Sequence, residues 1–195
     1  NTINKDKDGN PTNVTISKDD GIRAETTFEG LGKLKPSFSK DGVSTAGNSS
    51  QTTDGAAAVL LARSSFAEQN RWPIVGKFVA YAVAGVPPEI MGIGPAFAIP
   101  KVLEKAGITK DQVDVFELNE AFATQATWCA DQLGLDYKKV NPRGGAIALG
   151  HPLGCTGARQ VATLLSELKR TNGKLGVISM CIGTGMGAAA LIERQ

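Results

Sequence analysis

Residues 144–157 read GGAIALGHPLGCTG, a stretch that holds five glycines, one proline, one cysteine and the only histidine of the chain, His151. Glycines allow a backbone or a ligand to approach closely, so we interpret the stretch as a loop that brings His151 to a site. Pro152 fits the first turn of a helix, with His151 or Gly150 as the cap. The positive end of that helix would disfavour the charged form of the ring. It would therefore keep His151 neutral and able to accept a proton near pH 7. The alternative is a histidine that only caps the helix.

The segments on either side of this loop predict short helices and strands. After it, Val161, Leu164, Leu165 and Leu168 recur at the spacing of an amphipathic helix that runs to about Arg170. The other elements alternate in type, which is typical of a layered α/β fold. They are strands at 56–62, 74–83 and 113–118, helices at 64–70, 94–106 and 119–134, and a hairpin formed by 174–180 and 186–192.

Composition indicates an ordinary globular chain of 195 residues with a formal net charge of +2. No large basic field argues for nucleic acid or an anionic membrane, and the apolar runs are far shorter than the roughly 20 residues of a membrane span. Residues 1–53 are polar and read as a loop or extended arm, so we expect a domain boundary near residue 53. Because residue 1 is Asn rather than Met, we expect the chain to be part of a longer protein.

Three predicted corners each present one polar or reactive side chain. Asn119 follows a buried strand, His151 lies at a helix entrance, and Cys181 lies at the glycine-flanked tip of the hairpin. Corners of layered α/β folds tend to converge on one sheet edge, where ligands bind. Nearby imidazole or backbone N–H groups would lower the pKa of Cys181, and the alternative is a small core residue.

The other two cysteines are interpreted as packing residues. Cys129 falls on the apolar face of a predicted helix, and Cys155 lies in the first turn of another. The odd, sparse set of three indicates free thiols in a reducing compartment. A metal site of His151, Cys155 and Cys181 is conceivable, but no C-x-x-C or H-x-x-x-H pair supports it, and we expect no metal.

Four segments of the chain resemble the signature segments of thiolases, in the same order. They are TAGNSS at 45–50, NEAFA at 119–123, GGAIALGHP at 144–152 and CIGTGMG at 181–187. The residues HPLGCTGAR at 151–159 and SMCIGTG at 179–185 are most similar to the peroxisomal 3-ketoacyl-CoA branch of that family. The resemblance implies one half of a layered αβαβα sandwich with a mixed five-stranded sheet, comprising residues 54–195. Residues 1–53 would then be the tail of the family's loop domain and a linker.

The resemblance also implies roles for individual residues. His151 would activate a nucleophilic cysteine that lies in an absent N-terminal half, and Cys181 would move a proton to or from the acetyl carbon. Asn119 would hold a water that forms an oxyanion pocket with His151, and the N–H of Gly183 would serve a second pocket. A further set would line the pocket for coenzyme A and the acyl chain: Ser50, Met91 and Phe122.

The implied activity is thiolytic cleavage of 3-ketoacyl-CoA in fatty acid β-oxidation, with coenzyme A as co-substrate and no bound cofactor. The isolated chain would be inactive, and the complete protein would be a peroxisomal homodimer. Two alternatives remain open: a biosynthetic acetyl-CoA acetyltransferase, and a non-catalytic module for acyl binding or dimerisation. A mitochondrial or cytoplasmic location is likewise open. Ketoacyl synthases pair two histidines with their cysteine, and this chain has one.

Overall fold

The computed structural model describes residues 2–19 and 21–195 of the chain. The chain divides after Leu34 into two compact units. Each unit has its own hydrogen-bonded framework, and the side chains of the candidate site all belong to the second. In the described part of the chain, no helix has the length and apolar character needed to cross a membrane.

The first unit contains a small hairpin and a one-turn helix. Strands β1 (Thr2–Lys5) and β2 (Pro11–Val14) pair in antiparallel fashion. Helix α1 (Phe28–Gly32) begins after Thr27, whose hydroxyl accepts a hydrogen bond from the N–H of Gly30 at 3.0 Å. A Thr in this position satisfies one of the free N–H groups at the start of a helix.

The second unit is a sheet with helices on both faces. Its elements, in chain order, are α2 (Ser64–Gln69), β3 (Gly76–Gly85), α3 (Gly94–Ala106), β4 (Val115–Leu118), α4 (Ala123–Leu133), α5 (Ala146–Leu149), α6 (Thr156–Thr171), β5 (Leu175–Ile182) and β6 (Met186–Arg194). In the described residues the strands are ordered β3-β6-β5-β4. Strands β4 and β5 run parallel, and the other neighbouring strands are antiparallel.

Alternate residues of the central strands build two cores, one on each face of the sheet. Val177 and Leu191 pack with α3 and α4, whereas the next residues along the same strands, Ile178 and Ile192, pack with α6. This alternation is the period of a strand buried on both sides. The layered α/β architecture expected from the sequence is therefore confirmed. Cys129 is fully buried in the first core, which confirms its interpretation as a packing residue.

One predicted strand is wrong. Residues 56–62 have no regular secondary structure and are exposed, with Leu60 at 81% and Leu61 at 74%. Alanine, which makes up most of this run, is depleted in strands, and an apolar run does not specify an edge with which to pair. The sheet therefore has four strands within the described residues, where the resemblance implies five.

Glycines allow α3 to start directly against the hairpin. Gly94, the first residue of α3, lies against the backbone of Gly187 in β6, so closely that a Cβ on either residue would overlap the other's main chain. This contact places the preceding 3₁₀ helix, Pro88–Ile93, beside the end of β5 and the start of β6. The same end of the sheet carries the candidate site.

We expect Gly187→Ala to lower the free energy of unfolding by more than about 2 kcal/mol, because the Gly94 backbone cannot move aside as a flexible side chain does. Gly85→Ala is the matched control, since an added Cβ on Gly85 meets no atom within 4 Å. Chemical denaturation of the two variants measures both values. Equal costs would show that the close approach does not constrain the fold.

Candidate functional site

Asn119 follows directly after β4, at the edge of the sheet where the parallel strand β5 also ends. Its N–H donates to the carbonyl of Ser179 at 2.9 Å, which continues the pairing of the two strands by one residue. The side chain is 1% exposed. Four residues, 119–122, separate β4 from α4, so the prediction that Asn119 begins the helix is wrong. The corner holds the amide at the sheet edge instead of within a helical turn.

His151 lies in the loop between α5 and α6, where both ring nitrogens have partners. The Nδ2 atom of Asn119 lies 3.3 Å from Nε2 of His151. An amide nitrogen can only donate, so this contact requires the lone pair on Nε2 and the ring proton on Nδ1. Nδ1 is 2.7 Å from the hydroxyl of Thr156, which in turn donates to the carbonyl of Pro152 at 3.1 Å. The ring is thus held as a neutral tautomer with an acceptor at Nε2.

The pKa of His151 is lowered from its ordinary value, first by burial and second by the positive charge of Arg159. The lowered pKa favours the expected neutral ring, but the expected cause is wrong. Helix α6 begins at Thr156 with Cys155 as its N-cap, and Pro152 lies outside it. The carbonyl of Pro152 accepts from the N–H of Cys155 at 2.7 Å, forming a turn that separates the ring from the helix start.

Cys181 lies inside β5, next to its last residue, and pairs with Gly187 of β6. The expected position at the hairpin tip is wrong, because the strands continue to Ile182 and Met186 and residues 183–185 form the turn. Burial raises the pKa of the thiol, where the sequence led us to expect a lower one. Cys181 is two residues beyond Ser179, so it lies at the same sheet edge as Asn119. Within the described residues, no hydrogen bond joins Cys181 to Asn119 or His151.

The segment before residue 53 contacts both the corner that holds Asn119 and the loop that holds His151. Ser49 pairs with Phe122, and the N–H of Ser50 donates to the carbonyl of Ala121 at 2.9 Å. Two residues later, Thr52 pairs with His151. The structure therefore brings Ser50 and Phe122 beside the Asn119–His151 pair, and both are partly buried.

Met91 and Gly183 come from separate elements. Met91 lies on the 3₁₀ helix Pro88–Ile93, and the next residue, Gly92, accepts a hydrogen bond from the side chain of Gln125 at 3.2 Å. Met91 is half-buried. Gly183 is exposed in the turn between β5 and β6, and a Cβ placed there would meet open space.

A cavity of about 370 Å³ lies beside the His151 loop. Two chain segments line it, 53–57 and 152–155. Cys155 lies on its wall and is partly exposed, so the prediction that this thiol serves packing remains a prediction. In the part of the chain that the structure describes, no cluster of histidine, cysteine and carboxylate side chains could hold a metal ion.

Sequence reasoning missed a set of polar residues that support the site. Thr156, Arg159 and Gln160 lie at i, i+3 and i+4 on one face of α6, and all three bond toward the sheet or the loop. The amide of Gln160 donates to the carbonyls of Glu117 at 2.9 Å and Ser179 at 3.1 Å. The sequence signal that could have revealed these residues is Gln160, a polar residue one helical turn before Leu164 on an otherwise apolar face of the helix.

Glu120 anchors the loop that leads to His151. Its carboxylate accepts from Nδ2 of Asn141 at 2.7 Å and from the N–H of Ile147 at 3.2 Å. Asn141 also bonds both backbone groups of Leu118. These contacts join the end of β4 to the start of α5, and so fix where residues 144–151 begin.

Two family models match this chain. The family described as "Thiolase, C-terminal domain" matches residues 72–194, and "Thiolase, N-terminal domain" matches residues 2–65. The peroxisomal 3-ketoacyl-CoA thiolase of Homo sapiens is 64% identical over 193 residues, which are 98% of this chain and 45% of the human protein.

Two solved structures share the fold. The dimeric peroxisomal thiolase of Saccharomyces cerevisiae has a TM-score of 0.85 and 55% identity, and the match covers 100% of this chain and 48% of that one. The acetyl-CoA acetyltransferase of Bacillus anthracis has a TM-score of 0.89 and 44% identity, covering 99% and 48%.

The fold and the site thus define a thiolase-like α/β protein. The chain belongs to the thiolase family. It spans about half the length of the curated relatives that it matches.

We expect Thr156→Val to reduce the fraction of His151 protonated on Nδ1, because Val keeps the shape but removes the acceptor for that proton. A long-range ¹H–¹⁵N spectrum of the neutral ring measures this directly, since the chain has one histidine. Thr171→Val is the matched control, because its hydroxyl bonds only within α6, to the carbonyl of Glu167 at 2.9 Å. An unchanged tautomer in Thr156→Val would contradict the assignment.

Proposed function

We propose that this chain forms the C-terminal part of a 3-ketoacyl-CoA thiolase that cleaves 3-ketoacyl-CoA with coenzyme A, yielding acetyl-CoA and a shortened acyl-CoA. The observation that carries the proposal is the contact between Nδ2 of Asn119 and Nε2 of His151 at 3.3 Å, at the edge of the sheet where the strand of Cys181 also ends. The 64% identity to a peroxisomal 3-ketoacyl-CoA thiolase supports this substrate class. The acyl-carrying cysteine would come from an N-terminal half.

His151 acts first in this proposal. Once the Asn119 amide gives up its hydrogen bond to Nε2, this nitrogen takes the proton of the nucleophilic thiol, and the thiolate attacks the 3-keto carbon of the substrate. The bond between carbons 2 and 3 then breaks, leaving an acyl-enzyme and the enolate of acetyl-CoA. A lowered pKa suits this base, because the ring is unprotonated and ready to accept at neutral pH.

Cys181 donates the proton that the enolate carbon needs. Its raised pKa keeps the thiol protonated before the bond breaks, so the proton is available at that moment. The resulting thiolate can take the proton from the incoming coenzyme A, whose sulfur then attacks the acyl-enzyme. The nucleophilic cysteine, released as a thiolate by this attack, takes its proton back from His151, so both groups end the cycle in their starting states.

The remaining residues bind charge and substrate. Asn119, with a water and His151, would form one oxyanion pocket, and the N–H of Gly183 would serve the other. Donors of this kind typically contribute about 3 to 4 kcal/mol each. Ser50, Met91 and Phe122 would line the pocket for coenzyme A and the acyl chain, a role that suits their half-buried positions around the site.

The identity to peroxisomal thiolases supports a peroxisomal location, and the dimeric yeast neighbour supports a homodimer. The second candidate is a biosynthetic acetyl-CoA acetyltransferase, which the fold match to the Bacillus anthracis enzyme favours. Rates with 3-ketoacyl-CoA esters of increasing chain length separate the two. A degradative thiolase cleaves the longer esters, whereas a biosynthetic enzyme acts on acetoacetyl-CoA alone.

The test uses a complete protein in which this chain is joined to its N-terminal thiolase half. We expect His151→Ala and Cys181→Ala each to lower the rate of acetoacetyl-CoA thiolysis by at least about 100-fold, because each removes a proton-transfer group. Thr171→Ala is the control, because its hydroxyl bonds only within α6, and it should stay within a few fold of the parent. The isolated chain should show no thiolysis.

Unimpaired thiolysis in His151→Ala and Cys181→Ala would contradict the assigned roles. A complete protein that binds acyl-CoA but does not cleave it would instead indicate a non-catalytic thiolase-like module.

A further inference from the structure

Gln160 lies on the face of α6 that packs against the sheet, where its side chain is fully buried. Its amide nitrogen donates to the carbonyl of Glu117 on β4 at 2.9 Å and to the carbonyl of Ser179 on β5 at 3.1 Å. Arg159 also joins α6 to β4, through the carboxylate of Glu117 at 2.8 Å, but among the described residues it has no hydrogen bond to β5. Gln160 therefore holds the helix to both strands at once.

The carbonyl of Ser179 is shared between the helix and the corner that holds Asn119. It accepts the N–H of Asn119 at 2.9 Å in addition to the amide of Gln160. Ser179 is 2% exposed, and its hydroxyl donates to the carbonyl of Ala188 on β6 at 2.7 Å. The neighbouring strand thus fixes the residue to which both parts of the site are bonded.

A closed series of contacts runs from this carbonyl through the site. Thr156 lies one helical turn before Gln160, and its hydroxyl is 2.7 Å from Nδ1 of His151. On the other side of the ring, Nε2 is 3.3 Å from Nδ2 of Asn119, whose backbone returns to Ser179. A displacement of α6 from the two strands would therefore change the distance between Asn119 and His151, although Gln160 bonds to neither side chain.

The burial of Gln160 carries a cost that a purely stabilising residue would avoid. Its side-chain oxygen, Oε1, accepts no hydrogen bond within the described residues. A buried acceptor without a partner is unfavourable, and the next two positions on this face of α6, Leu164 and Leu168, are apolar. What the amide adds over an apolar side chain is the position of the helix relative to β4 and β5.

We propose that Gln160 is a positioning residue that sets the spacing between Asn119 and His151 and so keeps the ring protonated on Nδ1. The catalytic part of this inference rests on the proposed function, whereas the geometric part does not. In a ring protonated on Nδ1, Nε2 accepts the proton of the thiol once the Asn119 amide has released it. A ring in the other tautomer carries its proton on Nε2 and cannot act as this base.

The first experiment compares Gln160→Met with the parent in the 195-residue chain. Met has nearly the same length but no amide, so it removes both hydrogen bonds and the unpaired oxygen while still filling the space. A long-range ¹H–¹⁵N spectrum of the single histidine measures the tautomer. We expect the fraction of the ring that is protonated on Nδ1 to fall, in the direction predicted for Thr156→Val.

Leu168→Ala is the control for lost stability. Leu168 lies two helical turns after Gln160 on the same face of α6 and is fully buried. Its truncation weakens the packing of the helix without removing a hydrogen bond to the strands. We expect this variant to lower the midpoint of chemical denaturation at least as much as Gln160→Met does, and to leave the tautomer of His151 unchanged.

The same variants in the complete protein test the catalytic part. Gln160→Met should lower kcat for acetoacetyl-CoA thiolysis at least about tenfold, because a small misplacement of a reacting group is costly. KM should stay within about twofold, because residue 160 lies beneath the helix and does not line the proposed substrate pocket. Leu168→Ala should leave both constants near those of the parent.

An unchanged tautomer in folded Gln160→Met would overturn the proposal, and so would an equal change in Leu168→Ala. An unchanged kcat would overturn its catalytic part. Gln160→Leu is a second apolar variant, and failure of both apolar variants to fold would also overturn the proposal, because the amide would then serve stability. An inactive parent protein would count against the proposed function, whereas the tautomer measurement would still decide the role of Gln160.

Discussion

The site depends on the parallel pairing of β4 and β5. Because these strands run in the same direction, their carboxyl ends meet at one edge, and the N–H of Asn119 extends the pairing to the carbonyl of Ser179 at 2.9 Å. Cys181 follows two residues later on the same edge. Gln160 of α6 bonds one carbonyl on each strand, which fixes the helix that holds His151 against that pairing. A shift of β4 relative to β5 would separate all three groups.

The structure also explains why the imidazole is suited to accept a proton and the thiol to donate one. Both groups are partly buried, and burial disfavours the charged form of each, so it lowers the pKa of His151 and raises that of Cys181. The result is a neutral acceptor and a neutral donor at one sheet edge. Such a pair suits a reaction in which one proton is taken before a carbon–carbon bond breaks and another is delivered afterwards.

Much of the fold could be predicted from local pattern. Helix α3 begins and ends as predicted because Pro95 and Gly107 mark its ends. The failures occur where local signals do not specify a partner: residues 56–62 are apolar but find no strand edge, and Pro152 opens a turn instead of a helix. Asn119, His151 and Cys181 could be proposed from the sequence because each is a polar or reactive residue at the end of a predicted element.

The supporting residues were missed because their roles depend on contacts between distant segments. Nothing near Glu117 in the sequence shows that it meets Arg159, 42 positions later. The central claim is that Nε2 of His151 faces the reacting group. A crystal structure of the complete protein tests it most directly. The sulfur of the acyl-carrying cysteine should lie within hydrogen-bond reach of Nε2. A cysteine sulfur directed away from His151 would contradict the account.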